Sequence, residues 1–182
     1  MAPATTDIVR LTPSRAEDEL APLAELLMDA VESGASVGFL PPLAKTAAML
    51  YWVDVAAQVS RGSCVLLVAF EHHLVQGTVQ LALETAGNGD HRAQLRQLLV
   101  HRRARRQGLG TALVRAAESL AQGLGRSLLL LDARKGSEAE KLFHSLGYVR
   151  LGKVPGYART ADGSLHGTVF FYRFQTPRVA GG

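Results

Sequence analysis

Charge and glycine converge on one short stretch of this chain. Between Asp90 and Glu118 there is no acidic residue, while Arg92, Arg96, Arg102, Arg103, Arg105, Arg106 and Arg115 all fall there. Inside it, Leu98-Leu-Val100 reads as the end of a strand, Arg105-x-x-Gly108-x-Gly110 as a tight basic loop, and Leu109, Leu113, Ala116, Ala117, Leu120 and Leu124 as one face of an amphipathic helix stopped by Gly125. The first amides of a helix lack intrahelical partners and sit at the positive end of its dipole. Glycines at 108 and 110 clear side chains from that end, and arginines add charge and donors. Together they form a cradle for a diphosphate. The third glycine of a dinucleotide-binding fingerprint is missing, and no G-x-x-x-x-G-K-[ST] occurs, which excludes a P-loop nucleotidase.

Other chemistry-bearing residues carry weaker signals. Asp132 follows the apolar run Ser127–Leu131, where the end of a strand can open onto a cleft. Burial there raises a carboxyl pKa toward that of a base; a cap on the next loop is the competing role. His72-His73 fits a hairpin turn and has no third ligand at useful spacing, so no metal site is expected. Cys64, the single cysteine, allows no intrachain disulfide and reads as a small apolar residue on a strand. The basic run has no interleaved aromatics and no recognised module, which argues against nucleic acid.

These residues need a scaffold. The 182 residues, 47% hydrophobic and 20% charged with a net charge of +4, are a normal composition for one globular α/β domain. Met1–Asp7 has no basic and apolar leader, and the longest apolar run, Cys64–Phe70, is far too short to cross a membrane, so a cytoplasmic protein is expected. Helical spacing runs from Pro13 to about Val31, with Ser14 and Glu17 as a capping box, and again over about 43–60. Strands follow at Cys64–Phe70, Val75–Leu83 and His91–His101, with turns at Glu71–His73 and Gly87–Asp90. After the glycine-loop helix come Ser127–Leu131, as a central strand covered on both sides, a short helix at Ser137–Leu146, and strands at Tyr148–Val154 and Val169–Phe174 turning at Asp162-Gly163.

This arrangement resembles the GCN5-related N-acetyltransferases (GNAT). Arg105-x-x-Gly108-x-Gly110 is similar to that family's acyl-CoA diphosphate loop, and Ala139-x-x-Leu142-Phe143-x-x-Leu146-Gly147-Tyr148 to its second motif. Glu32–Leu40, Tyr51-Trp52, Leu131-Asp132, Pro155-Gly-Tyr157 and Asp162-Gly-x-Leu-His166 resemble the tabtoxin resistance protein group within it. The resemblance implies a single domain spanning 1–182, with a core over about 8–175 and short flexible termini. Its mixed sheet should have six to seven strands, flanked by about four helices. Acetyl-CoA is the implied cosubstrate, held by Leu98, Leu99, Val100, Arg105, Arg106, Gln107, Gly108, Leu109, Gly110 and Thr111, with no metal. An amine then attacks the thioester directly, the amide of Leu99 or Val100 stabilising the oxyanion. From its place after the apolar strand, Asp132 is the candidate base or amine-orienting carboxylate, with Tyr157, His101 and Glu84 as weaker candidates for acid or base; Ser36, Phe39, Tyr51, Trp52 and His166 would wall the acceptor site.

Departures from the family pattern leave the acid and base open. Arg96 stands where many relatives have a carboxylate, Phe143 where a tyrosine acid is usual, and Gly136 where an asparagine is frequent. The implied acceptor is a primary amine on a small, amino-acid-like toxin or antibiotic, hence a resistance role in a monomer or homodimer. The alternatives are a protein or peptide acetyltransferase, acting on an N-terminus or lysine, and a non-catalytic acyl-CoA sensor.

Overall fold

The computed structural model describes residues 6–176; the expected flexible termini lie outside the described residues. A seven-stranded sheet in the order β1-β2-β3-β4-β5-β7-β6 is antiparallel except where β4 and β5 run parallel. The elements are β1 (Asp7–Arg10), α1 (Pro13–Asp18), α2 (Leu20–Glu32), α3 (Lys45–Ser60), β2 (Cys64–Glu71), β3 (Leu74–Leu83), β4 (Arg92–Val100), α4 (Leu109–Gly123), β5 (Leu128–Arg134), α5 (Glu138–Ser145), β6 (Val149–Arg159) and β7 (Leu165–Phe174). One apolar cluster packs α4 and Phe143 of α5 on one face of the sheet; the other packs α1–α3 on the opposite face, with Leu23, Leu27, Val31 and Val55 at its centre.

Several expectations shift. The first helix is capped by Thr12, whose hydroxyl accepts from the Arg15 amide at 3.3 Å, and not by Ser14, because Pro13 occupies the first helical position. The helix also breaks at Glu19 into α1 and α2. β1 is an element the spacing does not announce: four residues, joined to the sheet only through β2. β5 is not covered on both faces. Leu129, Leu131 and Ala133 are buried under the helices, whereas Leu128 and Leu130 are only half-buried and Asp132 is exposed.

The feature that makes a site is a split between the two parallel strands. β4 pairs with β5 only from Arg92 to Gln94, and the strands then part. Gln97 causes the divergence: it takes a left-handed conformation (φ 48°) in a bulge opposite Thr78–Gln80. Such a bulge bends its strand away from the neighbour. Two bonds hold it, from the Thr78 hydroxyl to the Gln97 carbonyl (3.2 Å) and from Gln97 Nε2 to the Val37 carbonyl (3.0 Å).

Behind β4, Gly77 lets the layers close. A Cβ there would lie 2.7 Å from the Leu99 carbonyl oxygen and 3.0 Å from Leu113 Cδ1. Gly77→Ala is therefore expected to cost about 2 kcal/mol, the usual scale of overpacking, and to lower the thermal midpoint by roughly 6 °C; a calorimetric melt checks this.

Candidate active site

The split opens a cleft of about 1200 Å³. Every residue expected to hold the coenzyme lines it except Gln107, whose side chain turns back to donate to the Arg103 carbonyl. At one end, α4 begins on Gly108 (φ +83°) with no side-chain cap and no acidic residue in its first turn. Ala112 is the first residue to donate back into the helix, so the amides of Leu109, Gly110 and Thr111 have no backbone acceptor there. Nothing lies within 4 Å of a Cβ built on Gly108, so the approach is open. Arg106 is strongly exposed above it and pairs with Glu138 of α5 at 2.6 Å, a rim contact of little energetic weight.

Along β4, alternation settles which amide faces the gap. His101 donates its N–H to the Gln76 carbonyl of β3. One residue earlier, Val100 must point its N–H and C=O the other way, into the cleft. Of the two amides considered for an oxyanion, Val100 therefore has the outward geometry, and Arg105 Nε already donates to its carbonyl at 2.9 Å.

The other end of the cleft is bounded by the α2–α3 loop and by β5, β6 and β7. Asp132 and Tyr157 both line it. Crowding by the walls raises the Asp132 pKa and the nearby Arg96 guanidinium lowers it; the first effect wins, leaving the carboxyl above its ordinary value. No hydrogen bond contributes to that balance, so the cap role has no contact to support it. Tyr157 lies edge-on to Phe170, ring centroids 5.4 Å apart. Ser36 Oγ and His166 Nε2 lie 3.3 Å apart, a tie between the α2–α3 loop and the β6–β7 hairpin. Phe39 stacks edge-on against Tyr51, whose hydroxyl accepts from Gln80 Nε2 at 2.8 Å, so both back the wall without lining it. Burial pushes the Tyr51 hydroxyl up to about 12, which keeps it a neutral donor.

Trp52 does not belong to the site. It is 1% exposed in the core between α3 and the sheet. His101 and Glu84 lie outside the lining as well: His101 caps the 3-10 turn after β4, and Glu84 caps the turn at Thr85 and Ala86. Phe143 is buried against Tyr148 and Phe171 and offers no proton.

Sequence reasoning missed Asp29. From the last turn of α2 it accepts the Arg102 amide at 2.9 Å and the Arg102 side chain, with His101 Nε2 at 3.7 Å and Arg105 at 4.0 Å. Burial pushes its pKa up, but the bonds from Arg102 and the charge of its basic neighbours outweigh that and hold it low. The basic loop is thus pinned to the helix that leads into the acceptor-side loop. Asp29→Asn is expected to cost about 2 kcal/mol at pH 7 and to weaken coenzyme binding. A carboxyl depressed in the folded state stabilises above its unfolded pKa, and that contribution fades as pH falls through the folded value. The melting deficit of the variant should therefore shrink near pH 3.

Residues 61–150 match the family model of the acetyltransferase (GNAT) domain. Solved structures share the fold along nearly the whole chain. A provisionally assigned acetyltransferase from Salmonella typhimurium, yncA, determined with acetyl-CoA, superposes with a TM-score of 0.76 at 17% identity over 97% of this chain and 98% of that one. The ribosomal-protein-alanine N-acetyltransferase of Brucella melitensis gives 0.76 at 20% identity over 93% and 99%. A provisionally named phosphinothricin N-acetyltransferase gives 0.76 at 17% over 94% and 99%. At such identities the likeness concerns the fold, and the names cover very different acceptors. Among the described residues no helix is long and apolar enough to cross a membrane, and no group of three or more His, Cys, Asp or Glu could hold a metal. Residues 61–150 are thus similar to a GNAT acetyltransferase domain, and the chain as a whole has the fold of the solved acetyltransferases.

Proposed function

We propose that the protein is an acetyl-CoA-dependent N-acetyltransferase whose acceptor is a primary amine on a small, amino-acid-like molecule, with a role in resistance to a toxin or antibiotic of that kind. The observation that carries it is the paired build of the cleft: an anion cradle at one end and, at the other, an unbonded carboxylate lining the same space as Ser36 of the α2–α3 loop. The residues present fit coenzyme A. The free amides of Leu109, Gly110 and Thr111 receive the diphosphate, and the edge of β4 past Gln94, unpaired with β5, receives the amide-bearing arm as an added strand would be received. When bound, the cosubstrate supplies an acetyl thioester.

The chain's own groups do the rest. Val100 directs its N–H at the gap, where developing negative charge on an oxygen is stabilised. Asp132 holds the amine and takes its proton, a task favoured by a carboxyl pKa lifted toward neutrality. Tyr157, on the same side of the split as Asp132 and packed on its strand neighbour Phe170, carries the hydroxyl available to return a proton. The tie between Ser36 and His166 holds the α2–α3 loop to the β6–β7 hairpin beside the cleft, and a small acceptor would sit against that loop. The whole chain acts as one domain in the cytoplasm, where its single, buried Cys64 stays reduced, as a monomer or homodimer.

The test is a thiol-release screen over amino-acid-like toxins, aminoglycosides, polyamines and peptides. Turnover confined to small amines supports the proposal, and turnover confined to peptides replaces it with the protein-acetylating alternative. Tight acetyl-CoA binding without release of thiol from any amine leaves the sensor alternative.

A further inference from the structure

Arg96 is a charged group lining the cleft on the β4 side, which the reaction above leaves unused. Residues two apart on a strand share a face. Gln94, Arg96 and the Arg96 partner Gln80 therefore look toward α3, where Gln80 meets Tyr51. Gln94 lies opposite Leu130 of β5, and Asp132 is two residues beyond Leu130, so guanidinium and carboxylate border the same gap from its two banks. Gln94 Oε1 accepts from both Arg96 Nε (2.9 Å) and Nη2 (2.7 Å). That contact fixes the guanidinium plane and leaves Nη1 without a partner among the described residues. Arg96 and Asp132 sense each other electrostatically, yet among the described residues they form no salt bridge. Two fixed, opposite, uncompensated charges facing one space are complementary to a zwitterion.

We propose that Arg96 is an anion receptor for the acceptor: the molecule acetylated carries a carboxylate or similar oxyanion close to its reacting amine, held by the guanidinium while the amine faces Asp132. This rests on the N-acetyltransferase reading and narrows it. A peptide N-terminus or a lysine within a chain has no such anion beside its amine and leaves Arg96 uncompensated, which disfavours both. Guanidinium suits this task because its planar edge presents parallel donors to an oxyanion.

The experiment compares each of the twenty L-amino acids with its α-carboxamide and its decarboxylated amine, in thiol release by the full chain, Arg96→Gln and Arg96→Lys. The expected result is that acids are preferred over carboxamides by about 100-fold in kcat/KM, chiefly through KM, in the wild type. The preference should fall below about fivefold in Arg96→Gln, with Arg96→Lys between. Removing the Arg96 charge also moves the acidic limb of the pH profile upward, since that charge holds the Asp132 pKa down. Equal use of carboxamides or simple amines by the wild type overturns the proposal, as does a preference that survives in Arg96→Gln, while either leaves the acetyltransferase reading standing. If no amine or peptide releases thiol, that reading fails instead, and calorimetry with N-acetyl amino acids in the presence of coenzyme A decides for Arg96. Binding lost in Arg96→Gln retains the assignment, and no binding to the wild type ends it.

Discussion

Thr111→Asp should weaken acetyl-CoA binding about 100-fold while leaving the protein as stable as before, or slightly more so. Thr111 is exposed in the first turn of α4, a turn with no acidic residue and no side-chain cap. A carboxylate there faces the positive end of the helix, which stabilises the fold by roughly 0.3–1 kcal/mol. The same carboxylate faces the diphosphate that the free amides are proposed to hold. Two phosphate charges at about 5 Å, in an effective dielectric of about 40, repel it by about 3 kcal/mol in total, and about 1.4 kcal/mol is a factor of ten in affinity. Fold and ligand therefore respond to one charge with opposite signs, which a merely structural role for the turn does not produce. Thr111→Asn, of similar size but neutral, is the control and should keep most of the affinity. The gap between the two variants should narrow at high salt, because the site is open to screening ions. Titration calorimetry and thermal melts make the comparison; undiminished binding by the Asp variant would place the diphosphate elsewhere.

What could be read in advance was the chemistry made by consecutive residues. The strand end, the glycines, the arginines and the α4 stripe lie within about thirty residues, so spacing alone brings them together, and six of the seven strands of the mixed sheet follow from the order of periods along the chain, all but the short β1. The acceptor side is built differently. Asp29 and Arg102 are 73 residues apart, and Ser36 and His166 are 130 apart; no local pattern records such a meeting. Trp52 shows how neighbours mislead. Adjacent helical residues point about 100° apart, so Tyr51 and Trp52 could not both face the site, and the larger, more apolar ring took the core. Gln97 carried no sign of its bulge, since a left-handed glutamine is a consequence of the surrounding bonds to Thr78 and Val37. β5 read as fully covered because its apolar run is continuous, yet the half-buried Leu128–Leu130 face is what leaves Asp132 reachable.

Asp132→Asn should lower kcat about 100-fold, the scale of a lost general base, with the acetyl-CoA dissociation constant changed less than twofold. The remainder of the argument concerns sign. In the wild type the active form is the carboxylate, so the rate falls as pH drops through the Asp132 pKa, which crowding in the cleft has lifted above the ordinary value of 3.8; this limb should vanish from the profile of the variant. A carboxyl whose folded pKa is raised binds its proton more tightly folded than unfolded. Its stabilising contribution is complete below the unfolded pKa and is lost as pH rises through the folded one. At pH 7 the wild type therefore carries an unfavourable charge that the asparagine lacks, and the variant should melt at the same temperature or higher; near pH 3 the difference should disappear. A residue whose task was to cap the loop after β5 would behave in the reverse manner, losing stability and sparing turnover. Stability gained together with activity lost is the pattern of a strained catalytic group, and melts at the two pH values beside a pH–rate profile separate the two roles.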